Sequence, residues 1–391
     1  MKVLVFTTLY PNNIWPNHGV FIKERMTHFA ALPGNEIKVI APVPYYPPIK
    51  LGARQHYSQI AKHQVIDGID VYHPRFYMTP KIGMSLYGLM MYYSVVKSVE
   101  RLRETFDFDL IDAHYIYPDG LAAVLLGKHF KKPVVLSARG SDINQFAHFP
   151  MIRKLLRYTL SKADHVVAVC DALKRAIVDL NVPAGKITVI PNGVDVDKFS
   201  HVPQELARRK LKLPDQKIIL SVGSLIPRKG HDLVIKAFKK LVTKNGNVNA
   251  RLYIIGEGEA GKPLQQLVHS LELRDRVKLV GGVPHSDLKF WYNAADLFCL
   301  ASSREGWPNV VMESLACGTP VVATDVWGIP EIITSDEMGL LTKRSVPDIY
   351  EKCVTGLEKK WNNKMISAKM QSRTWDRTAV SVKGVFISVL N

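Results

Sequence analysis

The sequence predicts an α/β protein built from two open parallel sheets in tandem. Three observations predict it. A chain of 391 residues is too long for one ordinary core. Short Val/Ile-rich runs alternate with helical patterns, as in parallel sheets covered by helices. The alternation pauses at a polar stretch and then restarts. With 47% apolar and 22% charged residues and no low-complexity tract, both halves are expected to be globular.

The first half is read as follows. Residues 3–8 form a strand and 20–32 a helix whose core face includes Phe21, Met26 and Phe29. Strands follow at 36–41 and 69–73. Residues 110–114 form a strand ending in polar residues, then 121–128 a helix, 133–137 a strand, 152–163 a helix and 165–169 a strand; 187–190 closes the half. Pro191-Asn192-Gly193-Val194-Asp195 is a turn. The expected division is a first domain at 1–195 and a link with a short helix at 196–216. A second domain then spans 217–372, and a terminal helix at 373–391, with Trp375 at its start, is expected to pack back on the body, with the first domain as one candidate seat. In the second half, strands are expected at 217–222, 250–255, 277–280, 297–300 and 321–323. Helices are expected at 232–241, 262–271, 286–295 and from Pro308 onward. Such a tandem is expected to leave a cleft faced by the carboxyl ends of both sheets, where ligands bind.

The formal charge of +17 is spread over both halves. It suits nucleic acid, anionic lipid or a phosphorylated substrate; no zinc finger, helix-turn-helix signal or dense Arg/Lys stripe favours nucleic acid. Cys170, Cys299, Cys317 and Cys353 stand singly in apolar contexts and read as reduced core thiols of a cytoplasmic protein. The apolar start at 1–10 is short and runs into Pro11-Asn12-Asn13, which fits a first strand rather than a signal peptide. No stretch is long enough to span a membrane. Residues 84–96 are rich in Leu, Met and Tyr and flanked by Arg75, Lys81, Lys97, Arg101 and Arg103. They read equally as a helix lying in an anionic bilayer surface or as one buried against a sheet.

The most informative stretch is Arg304-Glu305-Gly306-Trp307-Pro308-Asn309-Val310-Val311-Met312-Glu313. A helix starting near Pro308 holds Glu313 inside it and leaves Glu305 on the preceding loop. One carboxylate can then meet the hydroxyls of a ligand while the free helix amides face an anion. This suits something polyhydroxylated and phosphorylated. Ser224-Leu225-Ile226-Pro227-Arg228-Lys229-Gly230 follows a strand bearing Gly223, so Arg228 and Lys229 are placed to hold phosphates; the alternative is a solvated basic turn. Gly256-Glu257-Gly258-Glu259 is an incomplete dinucleotide motif, and a turn or a close backbone approach suffices for it.

His114 ends a strand and could donate to a sugar or phosphate oxygen, or simply bond to backbone. Arg139-Gly140-Ser141-Asp142 forms a second polar rim after a strand. The loop 11–19, with Gly19 at the helix entry, can offer free amides. No cluster has metal-ligand spacing, and no Gly-x-Ser-x-Gly elbow or Walker loop is present.

Together these residues resemble the retaining, glycogen-synthase-like glycosyltransferases of family 4, with the two-domain GT-B fold of Rossmann-like units. The likeness is closest to bacterial members that build exopolysaccharide, teichuronic acid or lipopolysaccharide. The resemblance rests on Glu305 through Glu313, on Gly318-Thr319-Pro320-Val321-Val322-Ala323 and on Gly328-Ile329-Pro330-Glu331, and extends over nearly the whole chain.

It implies that Glu305 contacts the donor sugar and Glu313 the ribose, and that Lys229 with Arg228 neutralises the leaving diphosphate. Gly19 and its loop approach the phosphates or the acceptor through the backbone, Gly223 belongs to the nucleotide-sugar site, and His114 sits at the sugar, bonding to a hydroxyl and lining the reaction centre. Asn309 and Val310 offer helix-start amides to the diphosphate, Gly282 and Val283 lie near the base, and Arg139 and Asp142 face the acceptor. Two departures stand out: Gly223-Ser224 replaces the family's Gly-Arg, and Arg139 occupies a position where the family often has histidine. The resemblance further implies a nucleotide diphosphate sugar as donor substrate, no cofactor and no metal. The acceptor is a glycan or lipid-linked glycan, reached at the inner face of the plasma membrane by a cytoplasmic, peripheral protein that does not bind nucleic acid. Two rivals stay open: an epimerase on the same two-domain plan, and a non-catalytic nucleotide-sugar binder. Oligomeric state is not specified by the sequence.

Overall fold

The computed structural model describes residues 1–46, 55–78, 83–244 and 249–391; Lys81 lies outside them. The chain divides into two compact units, Met1–Asn192 with Trp375–Asn391, and Gly193–Thr374.

In the first unit eight strands pair in the order Ile187–Val189, His165–Ala168, Val134–Ala138, Leu110–His114, Lys2–Phe6, Glu36–Ile40, Ile69–Tyr72 and His63–Ile66. All pairs are parallel except the last. The expectation of parallel sheets therefore needs one correction at this edge. Asp67 and Gly68, at φ 50° and 79°, make the two-residue turn that an Asp-Gly pair favours, and it closes a hairpin. Leu110–His114 is buried at every position, as a central strand covered on both faces must be.

Helix Val20–Ala31 buries Ile22, Met26 and Phe29 at helical spacing. Helix Trp375–Leu390 packs on it, with the rings of Phe29 and Phe386 edge to face at 5.2 Å; each such buried side chain contributes about 1.5–3 kcal/mol. Helices Tyr87–Thr105, Leu121–Phe130 and Pro150–Lys162 pack side by side, on the other face of the sheet by the right-handed crossover rule. Residues 84–96 thus open a helix whose core stripe is Met91, Val95, Val99 and Leu102.

In the second unit six parallel strands follow the order Val277–Gly281, Ala250–Ile255, Lys217–Val222, Leu297–Leu300, Val321–Thr324 and Gly339–Thr342. The last strand and helix Val346–Glu358 were not anticipated, although Ser345 caps that helix by accepting from the Asp348 amide at 3.2 Å. The stretch 196–216 carries helix Gln204–Leu211, which packs on Leu288–Ala294 within this unit. There Lys210 lies over the Phe290 ring at 3.6 Å. All four cysteines are buried and unbridged. Among the described residues, no helix is long and apolar enough to cross a membrane.

Both sheets reverse strand order beside their first strand, Lys2–Phe6 or Lys217–Val222. The crevice at the carboxyl ends of such a pair is where open α/β sheets bind ligands.

Candidate active site

In the second unit the two strands at the reversal, Lys217–Val222 and Leu297–Leu300, lead into Gly223–Gly230 and Ala301–Glu305. Gly230, at φ 70°, lies where a Cβ would stand 2.2 Å from the Ala301 carbonyl oxygen, so only glycine lets the two loops meet. Lys229 Nζ then donates to Glu305 Oε1 at 2.5 Å, and Arg228 Nη1 lies 3.4 Å from Oε2. Ser302 Oγ donates to Oε1 at 2.6 Å, and Arg228 is held by the Arg304 carbonyl at 2.8 Å. Glu305 is 7% exposed. Burial pushes its carboxyl up, but Lys229 first and Arg228 second outweigh that and hold it below its ordinary value. The Lys229 alkyl chain runs beside Gly223, 3.5 Å from where a Cβ would stand. Ser224 is exposed and takes no part in the pair; Arg228 is the second cation on Glu305.

The Gly256-x-Gly258 segment supports this loop from behind. A Cβ on Gly256 would meet the Gly223 oxygen at 2.0 Å, and one on Gly258 the Leu225 oxygen at 2.5 Å. The Leu225 amide donates to the Glu257 carbonyl at 2.8 Å. The glycines therefore serve backbone packing beneath the basic loop. His231 is buried below it against Ser221 Oγ at 3.1 Å, and burial, with Lys229 nearby, pushes its imidazole down to about 4.

Glu313 lies in helix Asn309–Ala316 and forms a second group. Tyr292 Oη donates to its Oε2 at 2.9 Å, and His285 Nε2 lies 2.9 Å from its Oε1. Lys198 Nζ donates to His285 Nδ1 at 2.7 Å, so the imidazole proton is on Nε2 and points at Glu313. Gly282, exposed, and Val283, half-buried, sit on the loop leading to His285. Asn309 and Val310 are half-buried at the start of the helix, after Pro308.

In the first unit His114 ends its strand fully buried. Arg139 Nη2 approaches His114 Nδ1, and Nε2 lies 3.1 Å from Asp112 Oδ2. That second contact is outside hydrogen-bonding geometry. Burial chiefly, with Arg139 beside it, pushes His114 down to about 3, and Asp112 only partly offsets this; the ring is neutral. Asp112 is itself held near 2, with His114 and Arg25 overcoming burial. Arg25, 1% exposed, donates to Ser137 Oγ at 2.9 Å and to Asp112 Oδ2 at 3.2 Å. Arg139 reaches Asn192 Oδ1 at 3.0 Å and faces the Phe21 ring at 5.3 Å. Asp142 accepts the amides of Arg139, Gly140 and Ile116 at 3.1, 2.7 and 2.9 Å. Gly19, at φ 68°, packs where a Cβ would stand 2.2 Å from the Leu9 oxygen. That loop is tied down by Asp119, whose Oδ2 accepts Thr8 N at 2.6 Å and Thr8 Oγ1 at 2.8 Å.

The structure thus joins Gly223, Arg228, Lys229 and Glu305 in one constellation, and His114 with Arg139 and Asp142 in another. Sequence reasoning missed Ser302, His285, Tyr292 and Lys198 around the glutamates, and Arg25, Asp112, Ser137, Asp119 and Thr8 around His114. One signal was readable. Arg25 falls on the core stripe of its helix between Ile22 and Phe29, and a buried arginine demands a buried carboxylate. Among the described residues, no group of three or more His, Cys, Asp or Glu is placed to hold a metal ion.

Residues 203–372 match the family model described as Glycosyl transferases group 1, and residues 34–198 match Glycosyltransferase Family 4. The chain is 28% identical to TuaC of Bacillus subtilis, a glycosyltransferase ascribed to teichuronic acid biosynthesis, over 90% of this chain and 88% of that protein. It is 28% identical to the N-acetyl-alpha-D-glucosaminyl L-malate synthase of Bacillus anthracis over 60% of this chain and 61% of that one. In fold it is similar to sucrose-phosphate synthase from Thermosynechococcus elongatus, with a TM-score of 0.79 at 17% identity, covering 99% and 98% of the two chains. It is also similar to HepE of Anabaena in complex with UDP, with a TM-score of 0.74 at 20% identity, covering 99% and 100%. With both units matched in sequence, and the paired glutamates and basic loop set at the second unit's strand reversal, the chain belongs to the family 4 glycosyltransferases, sugar-transferring enzymes of GT-B fold.

Proposed function

We propose that the protein transfers a hexose-type unit, with retention of anomeric configuration, from a nucleotide diphosphate sugar to a glycan or lipid-linked cell-envelope acceptor. One observation carries the reading: Glu305 at the second unit's strand reversal, buried and holding both Lys229 and Arg228. When the donor enters, the two cations turn to its diphosphate, and the freed Glu305 carboxylate accepts from sugar hydroxyls. The amides of Asn309 and Val310 face the same phosphates, and Glu313, steadied by His285 and Tyr292, accepts from the ribose. Gly282 and Val283 flank the base. In the transfer the bond from the anomeric carbon to the phosphate oxygen breaks and a bond to the acceptor oxygen forms on the same face. The acceptor proton passes to the leaving diphosphate. Lys229 meets the charge that develops there, the largest electrostatic demand of the step.

On the first unit, His114, Arg139, Asp142 and the Gly19 loop form the acceptor side. His114 is neutral, and it sits below the surface under Arg139. Its contribution is therefore to fix Arg139, unless acceptor binding displaces that guanidinium. The relatives named for teichuronic acid and for glucosaminyl malate synthesis support a sugar-transfer reading of this kind. We further read the enzyme as working peripherally at an anionic cytoplasmic membrane face, which fits its charge of +17.

The test is release of nucleoside diphosphate from a panel of UDP-, GDP- and ADP-sugars in the presence of a membrane extract as acceptor source. Acceptor-dependent release from one donor, lost in Lys229→Ala, is expected. Release of free sugar without a glycosidic product would point to the epimerase class. Tight donor binding with no turnover on any acceptor would point to a binding protein.

A further inference from the structure

Helices Tyr87–Thr105, Leu121–Phe130 and Pro150–Lys162 lie side by side on one face of the first sheet. Each runs back from the carboxyl ends of the strands, so their amino ends sit at the edge that carries His114 and Arg139. At those ends the outward surface is apolar. Leu86, Leu89 and Tyr93, spaced to share one helix face, are 47%, 38% and 73% exposed. Phe149 and Met151, at the start of the third helix, are 50% and 59% exposed. The turn Met84–Leu86 packs against that third helix, so the two apolar tips adjoin.

Farther along, the outward face of the third helix turns basic. Lys97 and Arg101 are exposed on the first, and Arg153, Lys154, Arg157 and Lys162 on the third. No Asp or Glu occurs from 143 to 163. The first helix also exposes two acids on that side, Glu100, which His129 approaches at 3.4 Å, and Glu104, so its charges balance and the basic excess lies on the third helix and in the groove beside it. Between the second and third helices lies a groove of about 630 Å³, lined by Lys128, Lys131, Lys132, Lys162 and Tyr158, with Asp164 as its acid.

Single exposed apolar side chains are ordinary on a protein surface. Here they are gathered at one end of adjacent helices and backed by the cations of the third helix and of the lysine groove, where Asp164 is the acid among the lining residues. Nucleic acid gives no role to the apolar tip, and a second copy in a two-fold contact would set this basic face against itself. An anionic bilayer complements both parts. We propose that this face docks the protein on an anionic phospholipid bilayer. Leu86, Leu89, Tyr93, Phe149 and Met151 enter the boundary between headgroups and acyl chains, and the basic face of the third helix and the lysine groove lie on the headgroups. Docked this way, the edge carrying His114 and Arg139 is held at the surface from which a lipid-linked acceptor would project. The inference deepens the acceptor reading given above, but its test is independent of turnover.

The test is co-sedimentation of the full chain with vesicles about one-third phosphatidylglycerol in phosphatidylcholine, and with pure phosphatidylcholine, at physiological salt. Binding to the anionic vesicles alone is expected, weakening as salt rises. A basic side chain near such a surface contributes about fivefold in partitioning. The triple variant R153Q/K154Q/R157Q should therefore bind about a hundredfold more weakly. The variant F149S/M151S should lose the binding that persists at high salt. Since these side chains are exposed, both variants should keep the wild-type melting temperature and saturable donor binding. The proposal falls if neither vesicle is bound, if both are bound equally, or if the variants bind as wild type. It falls also if the wild type self-associates without lipid and the variants do not. Turnover without vesicle binding removes the docking surface alone, and vesicle binding without turnover on any donor leaves it standing while removing the transferase reading.

Discussion

Lys229→Ala tests the site most sharply, because the structure gives two separable consequences. Lys229 and Glu305 are nearly buried, at 12% and 8% side-chain exposure, and 2.5 Å apart. Breaking a buried pair from one side costs about 3–5 kcal/mol, since the other charge is left desolvated. Arg228 at 3.4 Å and Ser302 at 2.6 Å still reach Glu305, which brings the expected loss to about 2–3 kcal/mol. The pH dependence has a fixed sign. In the wild type the Glu305 pKa is lowered, so its stabilising contribution is present above the ordinary carboxylate value and is lost as pH falls through the folded one. Without Lys229, the leading cause of that lowering, burial dominates and the carboxyl moves up. The variant's deficit is then largest near neutral pH and shrinks on acidification, as Glu305 takes a proton. Urea unfolding at pH 7 and pH 4 reads this directly. Turnover at saturating donor should fall about 10²–10³-fold, the usual loss on removing one charge-stabilising donor. An equal stability deficit at both pH values would refute the ion-pair argument. Turnover close to wild type would refute the role of Lys229 on the leaving group.

Other outcomes follow from the same geometry. Glu313→Gln should raise the donor KM about tenfold, one hydrogen bond to a charged group, while lowering kcat less; His285→Ala should move KM in the same direction by a smaller amount. A change confined to kcat would argue against ribose contact. Gly256→Ala drives a Cβ to 2.0 Å from the Gly223 oxygen at φ 145°, so it should shift the basic loop and weaken nucleoside diphosphate binding, measured by calorimetry, with the first unit's melting unchanged. Burial raises Asp119 from 3.8 to about 7, against the Thr8 hydrogen bonds. A raised carboxyl pKa means that the folded state binds the extra proton, so stability declines as pH rises from about 4 to about 7. Asp119→Asn should therefore be more stable than wild type at pH 8 and no more stable at pH 4. The opposite order in thermal melts would show that the charged form is the one the fold prefers.

The sequence by itself determined the α/β alternation, because strand and helix periodicities are local and the apolar runs at 110–114 and 217–222 follow them. It also marked Glu305, Glu313, Arg228 and Lys229, because a glycine turn, a proline-led helix start and a basic loop after a strand are local signals as well. Gly256 and Gly258 were legible as glycines with a purpose, but not as the floor of the loop at 223–225, which lies some thirty residues away in sequence. Only the tertiary structure decided who meets whom. Lys229 and Glu305 are 76 residues apart in the chain, Arg25 and Asp112 are 87 apart, and His285 and Glu313 are 28 apart. No periodicity encodes such pairings, since they arise from strand order within each sheet. The helix at 87–105 shows the same division. Its Leu, Met and Tyr content fitted a buried helix and a surface-lying one equally. Packing on the sheet assigned Met91, Val95, Val99 and Leu102 to the core and left Leu89 and Tyr93 outside. Burial belongs to the arrangement of neighbours, and composition alone does not carry it.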